Sequence, residues 1–137
     1  MLRNGAMGVL AAVLLLSAGC SASDDGADTT ELVVAASLEL TGTAADVGVA
    51  QERGLRLKLE QLKSSGVLGR RNLRLVVEDN QSNPAVAEGH VTKFSADPAV
   101  SVIITGTCSE CVVASAPVVN TKGVPLISLA PATQVTT

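Results

Sequence analysis

From residue 31 onward, short apolar runs alternate with segments in which apolar residues recur every three or four positions. Residues 32–37 (LVVAAS) form a continuous apolar run, the pattern of a strand covered on both faces. A loop over 38–45 holds Thr41-Gly42-Thr43, and helical spacing then sets Leu55, Leu59 and Leu62 on one face, with Val49 and Leu57 nearby. Ser64-Ser65-Gly66 ends this helix, with Gly66 as a left-handed cap. After a turn at 67–69, residues 73–78 (LRLVVE) read as a second strand. Asn83-Pro84 opens a second helix: the Asn side chain can cap it, and Pro suits a first position whose amide needs no partner. Ala87, Val91 and Phe94 carry its apolar stripe, and Asp97-Pro98 stops it. Residues 100–105 (VSVIIT) give a third strand, followed by a turn at Gly106-Thr107-Cys108-Ser109 and a third helix over about 110–122. Gly123-Val124-Pro125 leads into a short fourth strand, 126–128.

Continuous apolar strands joined by helical crossovers predict an α/β fold with a doubly wound parallel sheet, covered on both faces. Ligands of such sheets bind beyond the carboxyl ends of the strands. Here those ends carry residues 37–48, 79–83, 106–110 and 128–133, rich in Ser, Thr and Gly. They offer hydroxyls and backbone amides rather than catalytic groups.

The first 30 residues follow another pattern. Arg3 is the only charge before Asp24, residues 9–16 (VLAAVLLL) are wholly apolar, and Ser17-Ala18-Gly19-Cys20 follows. The run is too short for a bilayer span, which needs roughly 20 apolar residues, and fits a cleaved export signal. A cysteine directly after small residues resembles a lipobox, so residues 1–19 are expected to be a lipoprotein signal peptide with lipid on Cys20. An ordinary secretory signal leaving Cys20 as a plain thiol is the alternative. Residues 21–30 (SASDDGADTT) cannot bury enough surface to fold. Residues 20–30 are therefore read as a lipid-anchored flexible spacer, and 31–137 as the folded part.

The chain has 137 residues and a formal net charge of −3, which becomes −4 once Arg3 leaves with the signal. Phe94 is the only aromatic residue and there is no basic patch, so nucleic-acid binding finds no support. With Cys20 lipidated, Cys108 and Cys111 remain, and an even pair in an exported chain suggests a disulfide. Their C-x-x-C spacing at a helix start also admits a thiol-redox protein, although Ser109-Glu110 between them supplies no further catalytic group. Glu78 and Asp79 read as strand-end acids in water, and His90 as a solvent-facing residue off the second helix's stripe. Gly106-Thr107-Cys108 lacks the Gly-Lys-Ser/Thr ending of a phosphate loop. No catalytic, metal or cofactor site emerges.

Five segments in this order carry a resemblance: Leu40-Thr41-Gly42; Gly66-Val67-Leu68-Gly69-Arg70; Val77-Glu78-Asp79 with Asn83-Pro84; Ile104-Thr105-Gly106 before a Ser-bearing turn; and Gly123-Val124-Pro125-Leu126-Ile127-Ser128. The chain resembles the amino-terminal lobe of type 1 periplasmic solute-binding proteins, in particular the Leu/Ile/Val-binding family that serves ABC importers. The resemblance implies a non-enzymatic extracytoplasmic protein, in keeping with the lipid anchor read from the signal at Cys20. It would capture an amino acid or amide without any cofactor and hand it to an ABC permease. It places Ser109 on the ligand carboxylate, with Ala130 and Thr133 near the ammonium. Where some members set an aromatic ring over the ligand, this chain has Val47. Relatives can link the Cys108 position to the loop after the second strand, but residues 80–83 hold no cysteine, so a local Cys108–Cys111 bridge is expected instead. Members carry a second lobe, whereas this chain ends soon after its fourth strand. The expectation is therefore an incomplete lobe, a fragment or a short product paired with a separate remainder, that binds weakly alone. A ligand-sensing receptor module built on the same lobe is the other reading.

Overall fold

The structure is a computed structural model and describes residues 30–133. The signal peptide expected at 1–19, Cys20 and nearly all of the spacer lie outside the described residues. The elements are β1 (Glu31–Leu38), α1 (Ala45–Ser64), β2 (Asn72–Asp79), α2 (Pro84–Ala96), β3 (Val100–Thr105), α3 (Ser109–Lys122) and β4 (Leu126–Ser128). The strands pair in the order β2-β1-β3-β4, every pair parallel.

Strand alternation divides the core in two. Ala35 and Ile103 meet Val91 and Phe94 of α2, with Val118 and Val119 of α3 packed beside them. Ala36, Leu38 and Ile104 gather Leu55 of α1 on the opposite face. Successive β1 side chains point to opposite faces, so α1 lies on one side of the sheet and α2 with α3 on the other. This is the doubly wound arrangement. The cover is uneven, however. Ile127 pairs in register with Ile104 and shares its face, yet remains 52% exposed. Leu57 departs from its expected place as well and is 62% exposed. It stands two positions from Leu55 and Leu59, and residues two apart do not share a helix face.

The helix ends follow from local chemistry. Asn83 caps α2, its side chain accepting from the amides of Ala85 at 2.9 Å and Val86 at 3.4 Å, with Pro84 in the first turn. Asp97 ends α2 in extended backbone, as the residue before a proline tends to. Gly66 (φ 72°) and Gly123 (φ 71°) take the left-handed conformation just past α1 and α3.

Candidate functional site

Four loops lie beyond the carboxyl ends of the strands: 39–44, 80–83, 106–108 and 129–133. Two carboxylates tie the first three together. Asp79, the last residue of β2, accepts the Leu40 and Thr41 amides at 2.9 and 3.0 Å and the Thr41 hydroxyl at 2.7 Å. It also accepts the Gln81 amide at 2.9 Å. Ser82 adds a second tie, its hydroxyl donating to the Thr41 carbonyl at 3.1 Å and accepting the Ala44 amide at 3.2 Å. The loop after β2 is a tight turn. The Asn83 amide donates to the Asn80 carbonyl at 2.9 Å, and Gln81 and Ser82 both take positive φ, 58° and 55°. That conformation is uncommon for residues with a Cβ and persists because these bonds over-determine it.

Glu39 is the second carboxylate and is fully buried. It accepts the Asn80 side-chain amide at 3.0 Å on one oxygen and the Thr107 backbone amide at 3.0 Å on the other. A Cβ at Gly106 would come within 2.1 Å of its Oε2, so only glycine there admits the carboxylate. Sequence reading missed Glu39, because an acid next to a strand end reads as a polar loop residue. Its depth comes from the long-range turn of β2 and β3 around it.

Glu78 and Asp79 are not the water-facing loop acids that the sequence suggests. Glu78 lies within β2, ion-paired with Lys93 and placed 3.3 Å from His90 Nε2. Desolvation pushes the Asp79 carboxyl up. Hydrogen bonds from the Thr41 hydroxyl and the amides of Gln81, Thr41 and Leu40 outweigh this and hold it below the ordinary carboxylate value. His90 is likewise not solvent-facing. It is half-buried, with Nδ1 3.2 Å from the Ser37 hydroxyl, which is itself fully buried. The signal was present, since His90 stands three residues after Ala87 and four before Phe94, within the apolar stripe. Ser37, His90 and Glu78 thus form a hydrogen-bonded row, but a fully buried serine cannot reach a substrate.

Asp79 makes stability depend on pH in one direction. Its folded pKa lies below the unfolded value of 3.8, so its contribution is complete well above that value and is lost as pH falls through it and below. Asp79→Asn should remove about 1 kcal/mol at pH 7, a figure already reduced for solvent screening. It should also flatten stability below about pH 5. Urea unfolding of both chains from pH 7 to pH 3 checks this, and parallel pH curves would disprove it.

The residues assigned to ligand binding fall at the ends of the neighbouring strands β3 and β4. Ser109 opens α3 and is half-buried. It does not cap the helix. Cys108 does, its Sγ accepting the Cys111 amide at 3.2 Å, while the Val112 amide donates to the Cys108 carbonyl at 3.1 Å. The Ser109 hydroxyl therefore makes no hydrogen bond among the described residues, and the amides of Ser109 and Glu110 have no intrahelical acceptor. Ala130 is half-buried, its amide donating to the Ser128 hydroxyl at 3.1 Å. Thr133 is exposed at the end of the same loop. Val47, in the first turn of α1, is 43% exposed. Cys108 and Cys111 form a disulfide, so although their sulfurs and a Glu39 oxygen lie within 4.8 Å of one another, no thiolate is free to hold a metal ion.

A parallel sheet whose loops gather beyond its strand ends, with open amides where a helix starts, is the frame in which such folds take up small ligands. The family model for periplasmic binding proteins matches residues 6–137, and the chain belongs to that family. Solved structures agree in fold. An ABC transporter protein from Rhodopseudomonas palustris superposes with a TM-score of 0.67 at 24% identity, over 76% of this chain and 31% of that one. The branched-chain amino acid transporter substrate binding protein of Streptococcus pneumoniae, solved in complex with isoleucine, gives 0.63 at 24%, over 74% and 29%. A leucine binding protein from Thermotoga maritima gives 0.64 at 25%, over 72% and 27%. The chain spans less than a third of the length of each. No curated protein matches.

Proposed function

We propose that this chain supplies one lobe of an extracytoplasmic solute-binding lipoprotein of an ABC importer, capturing an amino acid of the branched-chain type. The observation that carries the reading is the start of α3. There the Ser109 hydroxyl and the Ser109 and Glu110 amides stand without partners among the described residues, beside the β4 loop with Ala130 and Thr133. A helix amino end presents donors and a positive dipole, the counterpart of an α-carboxylate. Binding is non-covalent, and a second lobe would close over the solute by hinge motion. Two solved proteins of similar fold support the reading, one in complex with isoleucine and one named a leucine binding protein. The lipid on Cys20 and the spacer to residue 30 would hold the lobe near its permease.

One lobe alone should bind with a Kd on the order of 1 mM or weaker. Titration of the isotope-labelled chain with L-leucine, followed by amide NMR, should give saturable shifts at Ser109, Glu110 and Ala130. Ser109→Ala should weaken binding about tenfold, within the range for a lost hydrogen bond to a charged group. Absence of saturable shifts with leucine, isoleucine and valine would remove the amino-acid reading. Mass spectrometry of the mature amino terminus tests the anchor, which requires a diacylglyceryl mass on Cys20.

A further inference from the structure

We propose that Glu39 keeps Cys108–Cys111 a closed, non-exchanging disulfide by holding a buried carboxylate against the sulfurs where the fold would otherwise favour a thiolate. The two cysteines sit in a C-x-x-C at the start of α3, and the Cys111 amide already donates to Cys108 Sγ at 3.2 Å. A helix amino end with a free amide lowers a thiol pKa and makes such pairs redox-active in other proteins. The opposing feature is the Glu39 carboxylate, fully buried and within 4.8 Å of both sulfurs. The Asn80 and Thr107 amides hold its two oxygens, so it cannot swing away. Gly106 leaves the room it needs.

The surrounding charges do not relieve this. The loops 39–44, 80–83, 106–108 and 129–133 contain no lysine, arginine or histidine, and Glu39 is their only charged residue. The first turn of α3 adds Glu110, another acid. On α2, which packs against α3, Glu88 is exposed, while His90 and Lys93 both engage Glu78. A thiolate at Cys108 or Cys111 would thus meet the Glu39 carboxylate, and the strand-end loops supply no cation to offset it.

Opening the bridge needs a dithiol reductant. Its thiolate attacks one cysteine sulfur and forms a mixed disulfide. The S–S bond breaks, and the other cysteine leaves as a thiolate with the electron pair. The reductant's second thiolate then attacks the mixed disulfide, closes the reductant's own disulfide and expels the second cysteine thiolate. The protein gains two electrons and, as its thiols form, two protons, and the reductant loses both. Glu39 stands beside the incoming anion and the departing one and raises the energy of each. Exchange slows as the leaving thiol becomes less acidic. The C-x-x-C is then a permanent staple under the Ser109 turn rather than a redox centre.

The test compares thiol titration, read by thiolate absorbance, in the reduced folded chain and in the same chain in denaturant. Wild-type thiols should titrate at or above the denatured value, and those of Glu39→Gln about one unit or more below it, the helix end now being unopposed. A merely loosened loop moves thiols toward the denatured value and never past it. Wild-type thiols below that value, or an unmoved titration in Glu39→Gln, overturn the proposal. If the reduced chain unfolds, opening of the oxidised form by dithiothreitol decides. Glu39→Gln should open about tenfold faster than wild type. Glu39→Asp, which keeps the charge, should open as slowly as wild type. Equal rates for all three, or Glu39→Asp as fast as Glu39→Gln, overturn it equally.

Discussion

Phe94→Ala is expected to destabilise the lobe by about 3–4 kcal/mol, the range for emptying a buried aromatic site. Phe94 is 3% exposed and packs with Ala35, Val91 and Ile103, with Val100, Val118, Val119 and Leu126 around them. Those neighbours come from β1, α2, β3, α3 and β4, and Val76 of β2 packs on the same cluster, so the ring helps fix both helices of this face to all four strands. No second aromatic residue exists to take over its volume. A lobe of this size has about 5–15 kcal/mol in total, so the loss is a large share of it. It also bears on the site, because α3 begins at the Ser109 turn and is held to the sheet partly through this cluster. Leu57→Ala is the control. At 62% exposure it should change stability by less than about 0.5 kcal/mol. Urea unfolding of both variants at pH 7 reads the difference. A Phe94→Ala cost no larger than that of Leu57→Ala would mean that α2 is not seated as described.

Phe94 also marks how far the sequence reaches. Its stripe with Ala87 and Val91, the Asn83-Pro84 start and the strand at 126–128 are local patterns, and the structure places them where those patterns imply. Gly66 was legible as a left-handed cap for the same reason, since it meets a local backbone demand. Charged residues failed in a consistent way. Glu39, Glu78, Asp79 and His90 all read as polar positions near water, and each is held by partners 12 to 68 residues away. Hydrophobicity decides which face of an element turns inward, but a polar group's burial depends on donors supplied by other loops. Those loops meet only when the parallel strands bring their carboxyl ends side by side. The resemblance singled out the turn at Ser109, and the structure places that residue at the start of α3. That Cys108 and not Ser109 caps the helix followed only from the geometry.

Gly48→Ala and Gly54→Ala should have opposite signs, although both replace glycine within α1. Helix propensity alone favours alanine at each by about 0.5–1 kcal/mol. At Gly54 nothing lies within 4 Å of the new Cβ, so that gain should appear in full. At Gly48 the Cβ would fall 2.1 Å from the Glu39 carbonyl oxygen and 2.5 Å from its carbon. Both are backbone atoms and cannot rotate aside. The chain on either side is equally fixed. The Gly48 amide donates to the Ala44 carbonyl at 3.0 Å, and Asp79 holds Leu40 and Thr41. Relief therefore requires the start of α1 to back away from β1, and the expected cost is about 3 kcal/mol, the upper part of the range for overpacking. Since propensity acts alike on both, the gap between the variants measures how tightly α1 is pressed against the end of β1. The same displacement would drag Glu39, and with it the Thr107 amide that precedes the Ser109 turn. Equal stabilisation by the two alanines would show that α1 is not pressed there, and the order of the strand-end loops would then need another cause.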